Sequence, residues 1–358
     1  MTTQTRVRAP AHTSDLARRC ARVRAQTLAL AAPLSEADCQ VQSMPDTSPT
    51  KWHLAHVTWF FETFVLERCE PGCQPFNPAF RVLFNSYYQG VGDQHPRPQR
   101  GLITRPGLAE VKAWRAQVDA RIAALLQLEP GEELGTLMEP GLQHEQQHQE
   151  LLLTDLKHLL ASNPLNPVYH PQWPLGSVVA APMEWVALSG GTVQQGHTGD
   201  GCAFDNETPA HAALLQPHAL ATRLVTHGEW LAFMDGGGYA DPRWWMAAGW
   251  DWLRAAQPGQ FSGQRRAAPH AARAQRPRAA ANGRRRVGMD RQPLHALPRL
   301  PPLGGRRGRI QRQVHGQPDG AARWIVRQPR EHIRASYRNF FLTDARWQFS
   351  GVRLAKDC

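Results

Sequence analysis

No run of about 18 apolar residues occurs in this chain of 358, so nothing in it is built to cross a membrane as a helix. The stretch from Met1 to Cys20 scatters arginines and has no apolar centre, which argues against a secretory leader. Cysteine is scarce and irregularly placed. The six residues (Cys20, Cys39, Cys69, Cys73, Cys202 and Cys358) form no framework, and Cys69-x3-Cys73 has no second pair to close a zinc site. They read as reduced thiols of a cytoplasmic protein. Lysine is missing altogether between Pro258 and Gln328, where 16 arginines face two acids, Asp290 and Asp319. That one segment carries +14 of the formal charge, and since the whole chain is +11 the remainder is −3. The basicity belongs to a segment, not to the protein. The segment is also short of rings that could stack on bases, with only Phe261 and Trp324, which argues against nucleic acid as a partner.

What is present fits two domains, each long enough for its own core. Ser14 to Ala32 reads as a helix, with leucines and alanines recurring among arginines. After the turn Met44-Pro-Asp-Thr-Ser-Pro49, Ser48 is the expected N-cap and Pro49 the first helical residue of a helix reaching Arg68. Its face Trp52-His-Leu-Ala-His-Val-Thr-Trp-Phe-Phe-Glu-Thr-Phe64 is apolar nearly all round, as in a helix buried in a bundle. Phe84 to Gly101 is rich in Gly and Pro and reads as a loop. It carries Arg97 and Arg100, close enough in sequence to grip one carboxylate. Leu108 to Leu128 is a third helix. Leu142 to Ser162, expected to start just after Pro140, is the fourth.

Within that fourth helix, Gly141-Leu-Gln-His-Glu-Gln-Gln-His-Gln-Glu150 sets His144 and His148 four residues apart. Both imidazoles then leave one face, one turn apart, and can converge on a single ion. The plainer alternative is an exposed helix with two incidental histidines. Against it stands a third histidine, His56, on another helix that is buried among aromatics, where an unpaired imidazole is costly. Four helices with ligands projecting inward describe a metal-holding bundle.

Residues 164 to 182 are proline-rich without helical period and mark a boundary. Beyond it the texture changes. Met183 to Thr192 alternates like a strand and ends in Gly190-Gly191; the segments Phe204 to Pro209, Val225 to Phe233 and Gly238 to Trp245 follow at irregular spacing. This reads as a loop-rich α+β domain. The expected division is a helical domain over 1–165, a linker over 166–182 and a second domain over 183–358.

Taken together, Ser48-Pro-Thr-Lys-Trp-His-Leu-Ala-His56, His144-Glu-Gln-Gln-His-Gln-Glu150 and Phe204-Asp-Asn-Glu-Thr-Pro209 resemble the EgtB-type sulfoxide synthases of ergothioneine biosynthesis. The resemblance covers roughly residues 10–255 and 329–358. It implies a DinB-like four-helix bundle followed by a C-type-lectin-like domain of the formylglycine-generating-enzyme type. It also implies an oxidoreductase with an Fe(II) site made by His56, His144 and His148. Three neutral imidazoles leave open positions for thiolate and oxygen, which suits non-haem iron better than a closed structural zinc site. The substrates implied are O2, a thiol and hercynine, whose imidazole C2 receives the sulfoxide. Arg97 and Arg100 match the arginines that hold the thiol's carboxylate. Tyr337-Arg-Asn-Phe-Phe341 matches a strip lining the substrate pocket, with Asn339 its best polar candidate. Some members carry an acid where Phe341 stands, so the thiol is cysteine or γ-glutamylcysteine. Two alternatives are a DinB-like metal-dependent thiol transferase using the same histidines and an arginine-rich nucleic-acid binder, whose binding would fall steeply with salt.

The family's catalytic tyrosine has no counterpart in the sequence as written, and no tyrosine occurs between Tyr239 and Tyr337. Together with the arginine excess, this reads residues 258–328 as the product of a shifted reading frame. One base later, the codons for Arg284 to His295 can spell Gly-Asp-Val-Trp-Glu-Trp-Thr-Ala-Ser-Pro-Tyr, and those for Arg309 to Gly316 can spell Glu-Tyr-Asn-Gly-Lys-Phe-Met, where that tyrosine would fall. The interval between Trp252 and Arg284 is also short for the family, as if a deletion accompanied the shift. A disordered basic linker is the competing reading.

Overall fold

The computed structural model describes residues 11–128, 131–170, 180–199, 201–255, 332–338, 347–349 and 351–358. The suspected frame-shifted segment, Asn339 and Phe341 all lie outside the described residues. The chain divides into two compact units, Met1–Ser162 and Asn163–Cys358.

The first unit is helical. Its elements are α1 (Ala11–Ala31), α2 (Glu36–Gln40), α3 (Thr50–Phe61), which runs through a π turn at Glu62–Leu66 into α4 (Glu67–Cys69), α5 (Phe80–Leu83), a 3-10 turn at Arg97–Leu102, α6 (Leu108–Gln127) and α7 (Glu132–Ser162). The long helices α1, α3, α6 and α7 pack on one another as a bundle. Every residue of α3 is buried, as its unbroken apolar face required. Its Trp59 and Phe61 join Leu66, Phe84, Trp114, Ile122, Met138 and Leu142 in one continuous core.

Two local expectations are corrected. Ser48 does not cap α3: the helix begins at Thr50 behind Pro49, with no side-chain cap. The Ser48 hydroxyl instead accepts from Arg100 Nη1 at 2.9 Å, and its backbone N–H donates to Asp155 Oδ2 at 2.8 Å. Nor does α7 wait for Pro140. It starts eight residues before that proline and carries it inside. An interior proline removes a backbone hydrogen bond and costs about 3 kcal/mol. The helix persists because Leu134 and Met138 of its early turns are buried in the core, while Pro140 itself is exposed.

The second unit holds two small antiparallel sheets. Strands β1 (Trp185–Leu188), β4 (His218–Leu224) and β5 (Arg353–Asp357) form one in the order β1-β4-β5; β2 (Gly191–Gln195) and β3 (His211–Leu215) form the other. The Gly-Gly turn expected after β1 is present. Gly190, at φ +74°, sits where a Cβ would meet the Leu215 carbonyl oxygen at 2.5 Å, so only glycine fits. Helix α8 (His227–Asp235) starts at Thr226, whose hydroxyl and the Glu229 carboxylate cap each other's backbone N–H groups. It is followed by α9 (Ala247–Ala255). The end of the chain belongs to this unit: β5 pairs with β4, and Arg334 and Ser336 both hydrogen-bond Glu207 of the Phe204–Pro209 turn. Its sheets are thinly covered. All of β2 is exposed, as are Val186, Leu188 and Leu214.

Candidate metal centre

α3 and α7 face each other in the bundle, and their contact brings His56 to His144 and His148. The three rings each offer a nitrogen, and these atoms lie within 4.8 Å of one another. All three side chains are buried. The spacing argument for α7 therefore holds, and α3 supplies the third imidazole. Gly141 permits the close approach of the helices, since a Cβ there would stand 2.8 Å from the Phe61 ring.

The ring nitrogens can be assigned from their neighbours. His56 Nδ1 lies 2.7 Å from the Phe84 carbonyl oxygen, so it carries the proton and Nε2 turns inward, 3.2 Å from His144 Nε2. His144 Nδ1 is buried and has no hydrogen-bond partner among the described residues. Burial holds the His144 pKa down at about 3. It also pushes His56 and His148 well below the ordinary histidine value, helped by the neighbouring imidazoles. Three neutral imidazoles with converging nitrogens are a metal-ready donor set. Nearby rings fix their planes. Trp52 and Trp59 stack on His56 at 4.6 and 5.4 Å, and Phe60 stacks on His144 at 4.4 Å.

Arg100 is buried in the layer behind this cluster, its guanidinium carbon 3.4 Å from the Trp52 ring centroid. Its guanidinium donates to Ser48, and its Nε has no hydrogen-bond partner among the described residues. Burial and the neighbouring Arg97 both work against its charge. Such a cation suits an incoming anion. Arg97 is exposed and donates to the Asp46 carbonyl at 2.6 Å. The two arginines thus differ in setting, one buried and one at the surface.

The sequence His144-Glu-Gln-Gln-His148 also spells the H-E-x-x-H pattern in which the glutamate acts as a general base beside zinc. Geometry rules out that use here. Glu145 is fully buried on a different face of α7, bonded to Arg115, to Arg24 Nη1 at 2.9 Å and to Thr27 Oγ1 at 2.6 Å. Burial opposes its charge, but the two arginines overcome that and lower its pKa to about 2. It anchors α7 to α1 and α6. Sequence reasoning passed over this carboxylate, and also His53, which meets His148, and Asp155, which meets His53. The visible signal for His53 was its position one turn before His56 on a wholly apolar helix.

Comparison with known proteins agrees with this two-part structure. Residues 19–183 match the DinB superfamily, and residues 177–278 match the sulfatase-modifying factor enzyme 1-like domain. A hercynine oxygenase of Mycolicibacterium thermoresistibile is 32% identical over 252 residues, covering 67% of this chain and 52% of the relative. One of Mycobacterium tuberculosis is 32% identical over 251 residues, covering 66% and 54%. A third, of Mycolicibacterium smegmatis, is 29% identical over 245 residues, covering 66% and 53%. The chain therefore spans about half the length of the curated relatives it matches. The likeness to an EgtB-type enzyme, first drawn from three short motifs, is borne out across both units. Among the described residues, no helix is long and apolar enough to cross a membrane.

Proposed function

We propose that the helical unit is the metal-binding half of an EgtB-type oxidoreductase, with iron(II) held by His56, His144 and His148. The observation that carries this reading is the buried convergence of three neutral imidazoles from two helices. Iron bound there would supply open coordination positions for a thiolate and oxygen. The thiol, cysteine or γ-glutamylcysteine, is oriented through its carboxylate. Arg100 provides the desolvated cation and Arg97 the outer one. Hercynine is the imidazole partner, and Asn339 and Phe341 are assigned to its pocket by family likeness alone.

The metal reading is tested by anaerobic Fe2+ titration of the full chain and of His148→Ala. Helix propensity changes little on this substitution, so helix content stays and iron affinity falls. Undiminished binding would remove the assignment. Metal analysis and oxygen consumption separate the iron enzyme from a zinc thiol transferase. For the arginine clamp, Arg97→Ala is expected to raise the requirement for the thiol more than that for hercynine, and an equal response in a competent enzyme would exclude it.

We further propose that residues 258–328 are read out of frame and that the chain as written has little or no sulfoxide synthase activity. Three observations support this. The exposed apolar residues of β1, β2 and β3 lack cover that a complete domain would provide. The second family match, which starts at residue 177, breaks off at residue 278, inside this segment and well short of its end. Downstream of the segment, Arg334, Ser336 and β5 again make specific contacts with the part of the unit that precedes it. The nucleotide sequence across codons 253–330 decides the matter: stops in the second frame, or failure to spell the two motifs, would favour a basic linker.

A further inference from the structure

His53 lies one turn before His56 on α3, and both residues are buried. Its Nδ1 is 2.9 Å from His148 Nδ1, and its Nε2 is 3.1 Å from Asp155 Oδ2. The Ser48 backbone N–H donates to that same carboxylate oxygen at 2.8 Å. Proton accounting along this line has one solution with all rings neutral. A carboxylate only accepts, so His53 Nε2 carries the proton and donates to Asp155. His53 Nδ1 is then a bare lone pair and accepts from His148, whose proton is thereby fixed on Nδ1. The lone pair of His148 is left on Nε2.

Resting on the three-histidine reading of the site, we propose that His53 and Asp155 are positioning residues for His148. They fix its tautomer and ring orientation so that Nε2 is delivered to the metal, and they raise its strength as a donor. Outer carboxylates commonly orient metal-ligating histidines directly. Here a second imidazole extends the carboxylate's reach from α7 across to α3 and back to α7, because Asp155 is seven residues beyond His148 on the same helix and the two cannot meet directly. Of the three candidate ligands, His56 Nδ1 meets a backbone carbonyl and His144 Nδ1 has no hydrogen-bond partner among the described residues, so only His148 has its Nδ1 hydrogen bond set by a side chain.

The test is Co2+ titration of the full chain, followed by its visible ligand-field bands, with apo-protein melting recorded in parallel. His53→Phe keeps a ring of similar size but removes both nitrogens; Asp155→Asn keeps the shape and removes the charge. His144→Ala tests the triad itself. The expected result is loss of Co2+ binding in His144→Ala, about 10–100-fold weaker binding in His53→Phe, a smaller loss in Asp155→Asn, and altered bands in both relay variants. A merely structural role would lower melting points and leave the affinity and bands of the folded protein unchanged. If His144→Ala loses the metal while both relay variants bind with wild-type affinity and bands, the relay is overturned and the triad stands. Wild-type binding by His144→Ala would overturn the triad, and the relay with it. Should His53→Phe fail to fold, Asp155→Asn decides alone, with wild-type binding again the refuting outcome.

Discussion

Replacing Glu145 by Gln separates two roles for the carboxylate that stands next to a candidate ligand in sequence and points away from it in space. In the wild type its charge offsets two buried guanidinium groups, Arg115 and Arg24, and Thr27 donates to the same carboxylate. Asp119 also pairs with Arg24, so one arginine keeps a partner, whereas Arg115 loses its ionic one. Removing one member of a buried pair costs about 3–5 kcal/mol, because the remaining charge stays desolvated. The helical unit spans 162 residues. For chains of that size each kcal/mol moves the melting midpoint by about 2–4 °C, which places the expected fall at roughly 6–20 °C. The glutamine oxygen can still accept from Arg115 or Thr27, which favours the lower end. Circular dichroism at the helical minimum measures the midpoint, and Co2+ titration well below it measures the site. The expected pair of results is a large drop in midpoint with nearly unchanged metal affinity. A midpoint within about 2 °C of wild type would refute the structural argument. A large loss of metal affinity in the folded variant would show that Glu145 acts on the site after all.

Two further outcomes follow from the same geometry. Gly141→Ala is expected to lower the midpoint: overpacking against Phe61 and Phe60 costs about 1–3 kcal/mol, more than the helix-propensity gain of up to about 1 kcal/mol; a raised midpoint would contradict the close approach of α3 and α7. Acid is expected to weaken the helical unit in two stages. His56, His144 and His148 are held below their ordinary value of 6.5, so the unfolded chain binds more protons below that pH, and stability present above it declines as pH falls towards the folded value of about 3 for His144. Glu145, lowered from 4.5 to about 2, adds stability present above 4.5 that is lost as pH falls through 2. Urea midpoints measured across this range check the sign, and a midpoint that rises on acidification would be the contrary result.

The helices of the first unit and the three histidines were legible in the chain because both depend on local periodicity. Four-residue spacing puts His144 and His148 on one face whatever packs against it, and a helix as apolar as Thr50 to Phe61 has nowhere to go except a core. The three motifs also carried the likeness to a two-domain enzyme, since such patterns can be read without knowledge of contacts. The start of α7 was misplaced because proline's local cost is visible in sequence, while the burial of Leu134 and Met138 that outweighs it is not. Ser48 was misassigned for the same reason: an N-cap is a local preference, and Arg100 and Asp155 compete for its atoms from about 50 and 107 residues away. Only tertiary structure could decide that Arg100 is buried and Arg97 exposed, that Glu145 serves two arginines and not the metal, and that His53 joins Asp155 to His148. Each depends on which side chains from distant helices meet in a space closed to water, where an unpaired charge or ring nitrogen is costly and the choice of partner therefore fixes its role.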